Sequence, residues 1–158
     1  MATSDTSASP AVLELERFLP YRLSVLTNRI STAIARVYVR RFGLTVPEWR
    51  VMAVLGRFGA MSANAVCERT AMDKVRVSRA VARLAASERL DRRTDDADRR
   101  RTLLALTPQG QAVYAEIGPL ALAVEARLLA RLGPADRADL ARVLSKLEAA
   151  AATSFAEG

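Results

Sequence analysis

The stretch Met61–Thr107, MSANAVCERTAMDKVRVSRAVARLAASERLDRRTDDADRRRTLLALT, decides the fold. Ser62 is a helix-capping residue type, and a short helix is expected from it to about Arg69. Asp73 caps a second helix that runs to about Ser87, after the short turn Thr70-Ala71-Met72. Two strand-like runs follow, Leu90–Thr94 and Arg101–Leu106, joined by DDADRR. The hairpin tip thus carries three consecutive arginines, Arg99, Arg100 and Arg101, beside the acidic Asp95, Asp96 and Asp98.

At 100° per residue the helix from Asp73 places Val77, Ala80, Val81 and Leu84 on one side, which should face a core. Val75, Ser78, Arg79 and Ala82 fall on the other side, flanked by Arg76 and Arg83, and from Lys74 to Arg83 there are four basic residues and no acidic one. Such a strip suits the major groove of a nucleic-acid duplex. Arg76 and Arg79 can donate in pairs to guanine, Ser78 can bond a base edge or a phosphate, and Val75 can meet a thymine methyl. A basic amphipathic helix can equally be an ordinary solvated face, and the charged hairpin tip a turn of self-cancelling ion pairs. Charge alone does not decide between these readings.

Long amphipathic helices flank this block. One is expected from about Tyr21 to Arg41, after a first helical segment broken or kinked at Pro20, with Leu23, Leu26, Ile30, Ile34 and Val37 on one face and Gly43 as its stop. Thr45 and Pro47 open the next helix, whose apolar positions are Trp49, Val51, Met52, Val54 and Leu55. Thr107 and Pro108 start a helix reaching about Leu132, with a bend expected at Pro119. After Gly133 and Pro134 a final helix aligns Leu140, Val143, Leu144 and Leu147. The expected organisation is a polar tail over residues 1–10, N-terminal helices over 11–44, a compact central unit over 45–107, C-terminal helices over 108–150 and a tail over 151–158. Apolar stripes without a partner in their own chain find one in another, so the terminal helices are read as a dimer interface.

The composition agrees. The 158-residue chain carries 24 Lys and Arg against 17 Asp and Glu, a formal net charge of +7 that suits a polyanionic partner. It holds no histidine, which removes His-based metal sites, general bases and pH switches. No phosphate-cradling glycine loop, nucleophile elbow or metal cluster is legible, so the chain is read as a non-enzyme without cofactor or metal. The single Cys67 fits a reducing compartment. The polar N-terminus and the lack of a long apolar run point to a cytoplasmic protein that does not enter membranes.

The segments LTVPEWRVMAVLGRFG (44–59), MDKVRVSRAVARL (72–84) and DRRRTLLALTPQG (98–110) resemble the winged helix-turn-helix regulators of the multiple antibiotic resistance regulator (MarR) family. The resemblance implies a mainly α fold, a winged helix-turn-helix between long dimerisation helices. It also implies a homodimer that binds double-stranded DNA at a palindromic operator, usually as a repressor. By the family's wing pattern Arg100 is the minor-groove arginine and Asp98 the group that orients it. The DNA-binding set is then Ser62, Lys74, Val75, Arg76, Ser78, Arg79, Arg83, Asp98, Arg99, Arg100 and Arg101. The family's effectors are small molecules, often anionic or phenolic, held where the dimer helices meet the DNA-binding lobe. Tyr21, Arg22, Tyr38, Trp49 and Arg50 are the candidates there, and an aromatic wall with an arginine would suit an aromatic acid. Core packing is the competing role for Tyr38 and Trp49, and ion pairing for Arg22 and Arg50. Oxidant-sensing relatives carry their cysteine in the first long helix, where this chain has none, so Cys67 is read as a small packing residue. The alternative function is an architectural DNA-binding protein without sequence preference or effector.

Overall fold

A computed structural model describes residues 12–94, 98 and 100–154. Among the described residues six helices and one hairpin follow in the order α1 (Leu19–Phe42), α2 (Val46–Phe58), α3 (Ala63–Thr70), α4 (Lys74–Ala86), β1 (Leu90–Thr94), β2 (Thr102–Leu106), α5 (Pro108–Leu129) and α6 (Pro134–Ser154). The fold is mainly α, a winged helix-turn-helix with long helices before and after it.

Cap chemistry sets most of the boundaries. Ser62 Oγ accepts from the Ala65 N–H at 3.2 Å, and Asp73 Oδ1 from the Arg76 N–H at 2.7 Å. Thr45 and Glu48 form a reciprocal capping box at the start of α2. Gly43 ends α1 in the left-handed region, its N–H donating to the Val39 carbonyl at 3.0 Å. Pro20 does not break a helix. It sits in the first turn of α1, where its missing N–H has no intrahelical acceptor to lose. The apolar pattern around Leu15 and Phe18 therefore belongs to a turn ahead of α1. Likewise α5 runs through Pro119, and ends at Leu129 rather than near Leu132. Strand β2 starts one residue later than expected because the Arg101 N–H is taken by the Asp98 carbonyl at 2.9 Å.

The strands pair antiparallel with Leu90 opposite Leu106 and Thr94 opposite Thr102. Met61 adds a bridge to Leu104, with both N–H groups donating across (3.1 and 2.8 Å), so the wing is fastened to the entry of α3. Val77, Ala80, Val81 and Leu84 of α4 are buried against Val51, Met52 and Leu55 of α2, Val66 of α3 and the wing leucines. At about 1.5–3 kcal/mol per buried aliphatic side chain, this cluster outweighs any surface ion pair in the molecule. The core reaches further than the central unit. Ala35 and Tyr38 of α1 and Val113 and Ile117 of α5 are buried in it too. By contrast α6 buries none of its residues.

The tightest junction lies between the wing base and α5. Thr107 Oγ1 donates to the Glu88 carbonyl at 2.6 Å and accepts from the Gly110 N–H at 3.0 Å. A β-carbon on Gly110 would stand 2.0 Å from the Arg89 carbonyl oxygen, a backbone atom that cannot step aside. Gly110→Ala is therefore expected to destabilise the fold by roughly 2–3 kcal/mol. Thermal unfolding at fixed protein concentration checks this, and an unchanged midpoint would refute it.

Burial of the Tyr38 ring pushes its hydroxyl up to about 12, with the Arg50 charge pulling it down and the Glu48 charge adding to the rise. The folded state thus favours the neutral phenol. Its contribution to stability is complete below about pH 10, where an unfolded tyrosine begins to ionise, and is lost as pH rises towards 12. Urea midpoints should fall across that window, by on the order of 2–3 kcal/mol in stability for this group. Tyr38→Phe should flatten the decline, and an equal decline in both proteins would contradict the assignment.

Candidate nucleic-acid interface

The outer face of α4 carries Lys74, Val75, Arg76, Ser78, Arg79, Ala82 and Arg83, all exposed, while the opposite face is buried. Val75 is 59% exposed, unusual for a valine beside a well-packed core, and it stands among the basic residues. Such an apolar spot within a positive strip suits a base edge rather than bulk water. Arg76 leans towards the Asp73 carboxylate at 3.9 Å, both ends exposed, a pair worth little in water. Arg79 has no ion-pair partner among the described residues. The Arg83 Nε stands 2.9 Å from Glu48 Oε1.

Ser62 lies at the entry of α3, its hydroxyl engaged as the cap. A cleft of about 360 Å³ runs between α3, α4 and the wing. Asn64, Lys74, Ser78, Arg92 and Thr102 supply its polar walls and Cys67 part of its floor. Asn64 and Arg92 were not singled out from sequence. Only the hairpin pairing brings Arg92 to the side that faces α4.

At the wing tip, Asp98 works on the backbone. Its Oδ1 accepts from the Arg100 N–H at 3.0 Å and its carbonyl from the Arg101 N–H. Among the described residues no ion pair joins Asp98 to the Arg100 guanidinium. The aspartate shapes the turn from which Arg100 and Arg101 project, both exposed. Arg99, the other tip residue of the expected set, lies outside the described residues, as do Asp95 and Asp96.

The five expected effector residues do not form one cluster within a chain. Tyr38 is buried, its ring centroid 5.7 Å from that of Trp49, which stacks in turn on Tyr114 at 6.1 Å. Arg50 Nη2 donates to Ser31 Oγ at 3.3 Å, a tie from α2 to α1. Tyr21 and Arg22 are exposed at the other end of α1, beside Leu19 and Leu26. At 1.5 Å rise per residue they lie about 25 Å from Tyr38. Tyr114 escaped the sequence reading, although Gly56 carried its signal. A β-carbon at that mid-helix glycine would stand 2.7 Å from the Tyr114 ring. Trp49 and Tyr114 form one wall of an apolar cleft of about 720 Å³ between α1, α2, α5 and α6, with Ile34, Phe58 and Leu122 on its other sides and Arg57 and Glu125 at its polar points.

Among the described residues no helix is long and apolar enough to cross a membrane. Residues 42–101 match the MarR family model. No curated protein matches the chain. Among solved structures, the chain is similar to BpsR of Bordetella bronchiseptica, whose DNA binding is regulated by 6-hydroxynicotinic acid. The two are 28% identical, with TM-score 0.75 over 87% of this chain and 98% of that one. It is also similar to the MarR family transcriptional regulator SPO1453 of Silicibacter pomeroyi DSS-3, at 29% identity and TM-score 0.75 over 88% of this chain and 98% of the other. A MarR/EmrR family regulator of Acinetobacter sp. ADP1 is 25% identical with TM-score 0.81, covering 89% and 99%. The arrangement of helix-turn-helix, hairpin and flanking helices is thus the one seen in these regulators, and over residues 42–101 the chain is similar to the MarR family.

Proposed function

We propose that the protein is a homodimeric repressor that binds a palindromic operator in double-stranded DNA and releases it when a small aromatic or phenolic acid binds. The observation that carries the DNA half is the outer face of α4, where exposed Val75 and Ser78 are interleaved with Arg76, Arg79 and Arg83 while the same helix is locked into the core behind. A rigid helix presenting donors and one apolar contact reads bases, and an arginine-bearing wing beside it extends the contact into the minor groove.

Support for the dimer comes from the unpartnered helices. Leu19, Leu23 and Leu26 of α1, Leu122 and Leu128 of α5, and Leu140, Val143 and Leu144 of α6 are all well exposed. Covering them with the same helices of a second copy removes that surface from water and sets two recognition helices about one DNA turn apart, roughly 10 bp. Support for an effector comes from the apolar cleft beside Trp49 and Tyr114, which lies between the long helices and α2. A ligand that fits only one spacing of these elements would stabilise that spacing and so change the reach of the two recognition helices.

With a duplex enriched from random sequence by the protein, Arg100→Ala is expected to weaken binding about tenfold or more at fixed salt while the fold is kept. An unchanged gel shift would overturn the wing assignment. Arg79→Ala should cost roughly 1–3 kcal/mol and relax preference at particular base pairs, whereas equal weakening on all duplexes would make Arg79 a phosphate contact. Binding of equal strength to any duplex by the wild type would favour an architectural role. Light scattering at micromolar concentration should give a dimer, and a monomer would refute the assembly. Because BpsR answers to 6-hydroxynicotinic acid, that compound is the first aromatic acid to add to the gel-shift series.

A further inference from the structure

Glu48 is the buried acid among the described residues, its side chain 5% exposed. One carboxylate oxygen, Oε2, accepts from the Thr45 N–H at 3.0 Å and so closes the α2 cap. The other, Oε1, lies 2.9 Å from Nε of Arg83 in the last turn of α4. The two ends differ sharply, since the Arg83 side chain is 68% exposed. A buried carboxylate requires a partner, and here the partner is an arginine of the recognition helix. The contact is an ion pair in which Nε is the nearest guanidinium atom, and the exposed guanidinium stands at a cleft of about 540 Å³ between α2 and α4. Thr45 and Pro47 line one wall of that cleft, and Arg76 and Arg79 join Arg83 on the other.

We infer that Glu48 is a positioning residue for DNA binding: through this ion pair it holds the Arg83 guanidinium so that its N–H groups turned away from Glu48 meet a backbone phosphate at the mouth of the α2–α4 cleft. This rests on the DNA-binding reading above. Glu48 adds no positive charge and offsets part of the attraction between Arg83 and a phosphate. Its contribution is geometric. An arginine already held in one orientation loses less freedom on binding, and its planar fork can face an acid on one side and a phosphate on the other. A lysine ammonium has donors for both but lacks the rigid planar fork that fixes where the second anion is met.

The test compares the full-length wild type with Arg83→Ala, Arg83→Lys, Glu48→Met, Glu48→Gln and the Glu48→Met/Arg83→Ala double variant. The probe is the duplex enriched by the wild type, titrated across a salt series, with circular dichroism and thermal unfolding recorded for each protein. Arg83→Ala is expected to bind about tenfold more weakly, and its slope of log affinity against log salt should shrink by about 0.9, one phosphate's worth. Arg83→Lys should lose most of the same affinity although it keeps the charge. Glu48→Met should weaken binding several-fold, and the double variant should bind no worse than Arg83→Ala alone. Glu48→Gln keeps one acceptor oxygen and no charge, so its amide NH2 must face either the Thr45 N–H or Arg83, and it should weaken binding as Glu48→Met does. Wild-type binding by Arg83→Lys, an unchanged salt slope in Arg83→Ala, or losses that multiply in the double variant would each overturn the inference. Should Glu48→Met not fold, the Arg83→Lys comparison decides alone. A wild type that binds no duplex at all would instead overturn the DNA-binding reading, and this inference with it.

Discussion

The arrangement of the molecule depends on one close backbone approach, that of Gly110 in the first turn of α5 to the carbonyl of Arg89 at the base of the wing. Around it four elements are tied within a few residues. The Thr107 hydroxyl bridges the Glu88 carbonyl and the Gly110 N–H, and the Thr107 N–H donates to Arg89 O at 3.2 Å. Arg89 then reaches back to the end of α1, its Nη1 donating to the Phe42 carbonyl at 2.8 Å. That bond satisfies one of the orphan carbonyls of a helix terminus with a positive group, the sign the terminus favours. The turn out of α4 meets the same point through Glu88, which takes the left-handed conformation at φ 55°. The end of α4, the wing, α1 and α5 are all referred to this junction.

Its components carry different shares of the stability. Surface pairs such as Arg142 with Asp139, exposed at both ends, are each worth a fraction of a kcal/mol. Buried side chains from α1, α2, α4, α5 and the wing are each worth several times that. The junction therefore acts mainly by exclusion. It permits one relative placement of elements that the core then holds. One cost is visible, for the buried Arg89 Nε has no protein partner among the described residues. A charged side chain kept there despite an unpaired donor marks how much the placement of α1 against the wing depends on it.

Much of the fold was legible because its signals are local. Caps at Thr45, Ser62, Asp73 and Thr107 depend on a side chain reaching its own helix's first turn, and the burial of Val77, Ala80, Val81 and Leu84 follows from 3.6-residue periodicity. The misplaced boundaries had local signals with two meanings. A proline ends a preceding helix or opens a following one, and Pro20 stands in the first turn of α1. At the site, the exposed strip of α4 could be listed residue by residue, yet nothing in the sequence singled out Glu48. Its second oxygen and the arginine it holds lie 35 positions apart in the chain.

By itself the sequence determined the order of elements, the helix-turn-helix with its hairpin, and which face of α4 turns outward, since each follows from spacing within a few residues. Tertiary structure decided which side chains meet. It set Tyr114 on Trp49, separated Tyr21 and Arg22 from Tyr38, fastened Arg89 to α1, and brought the Arg100 N–H to the Asp98 carboxylate. The physical reason is that helix and turn preferences act through covalent neighbourhood. A buried charge or a stacked ring, in contrast, finds its partner only after distant segments have packed at fixed separations.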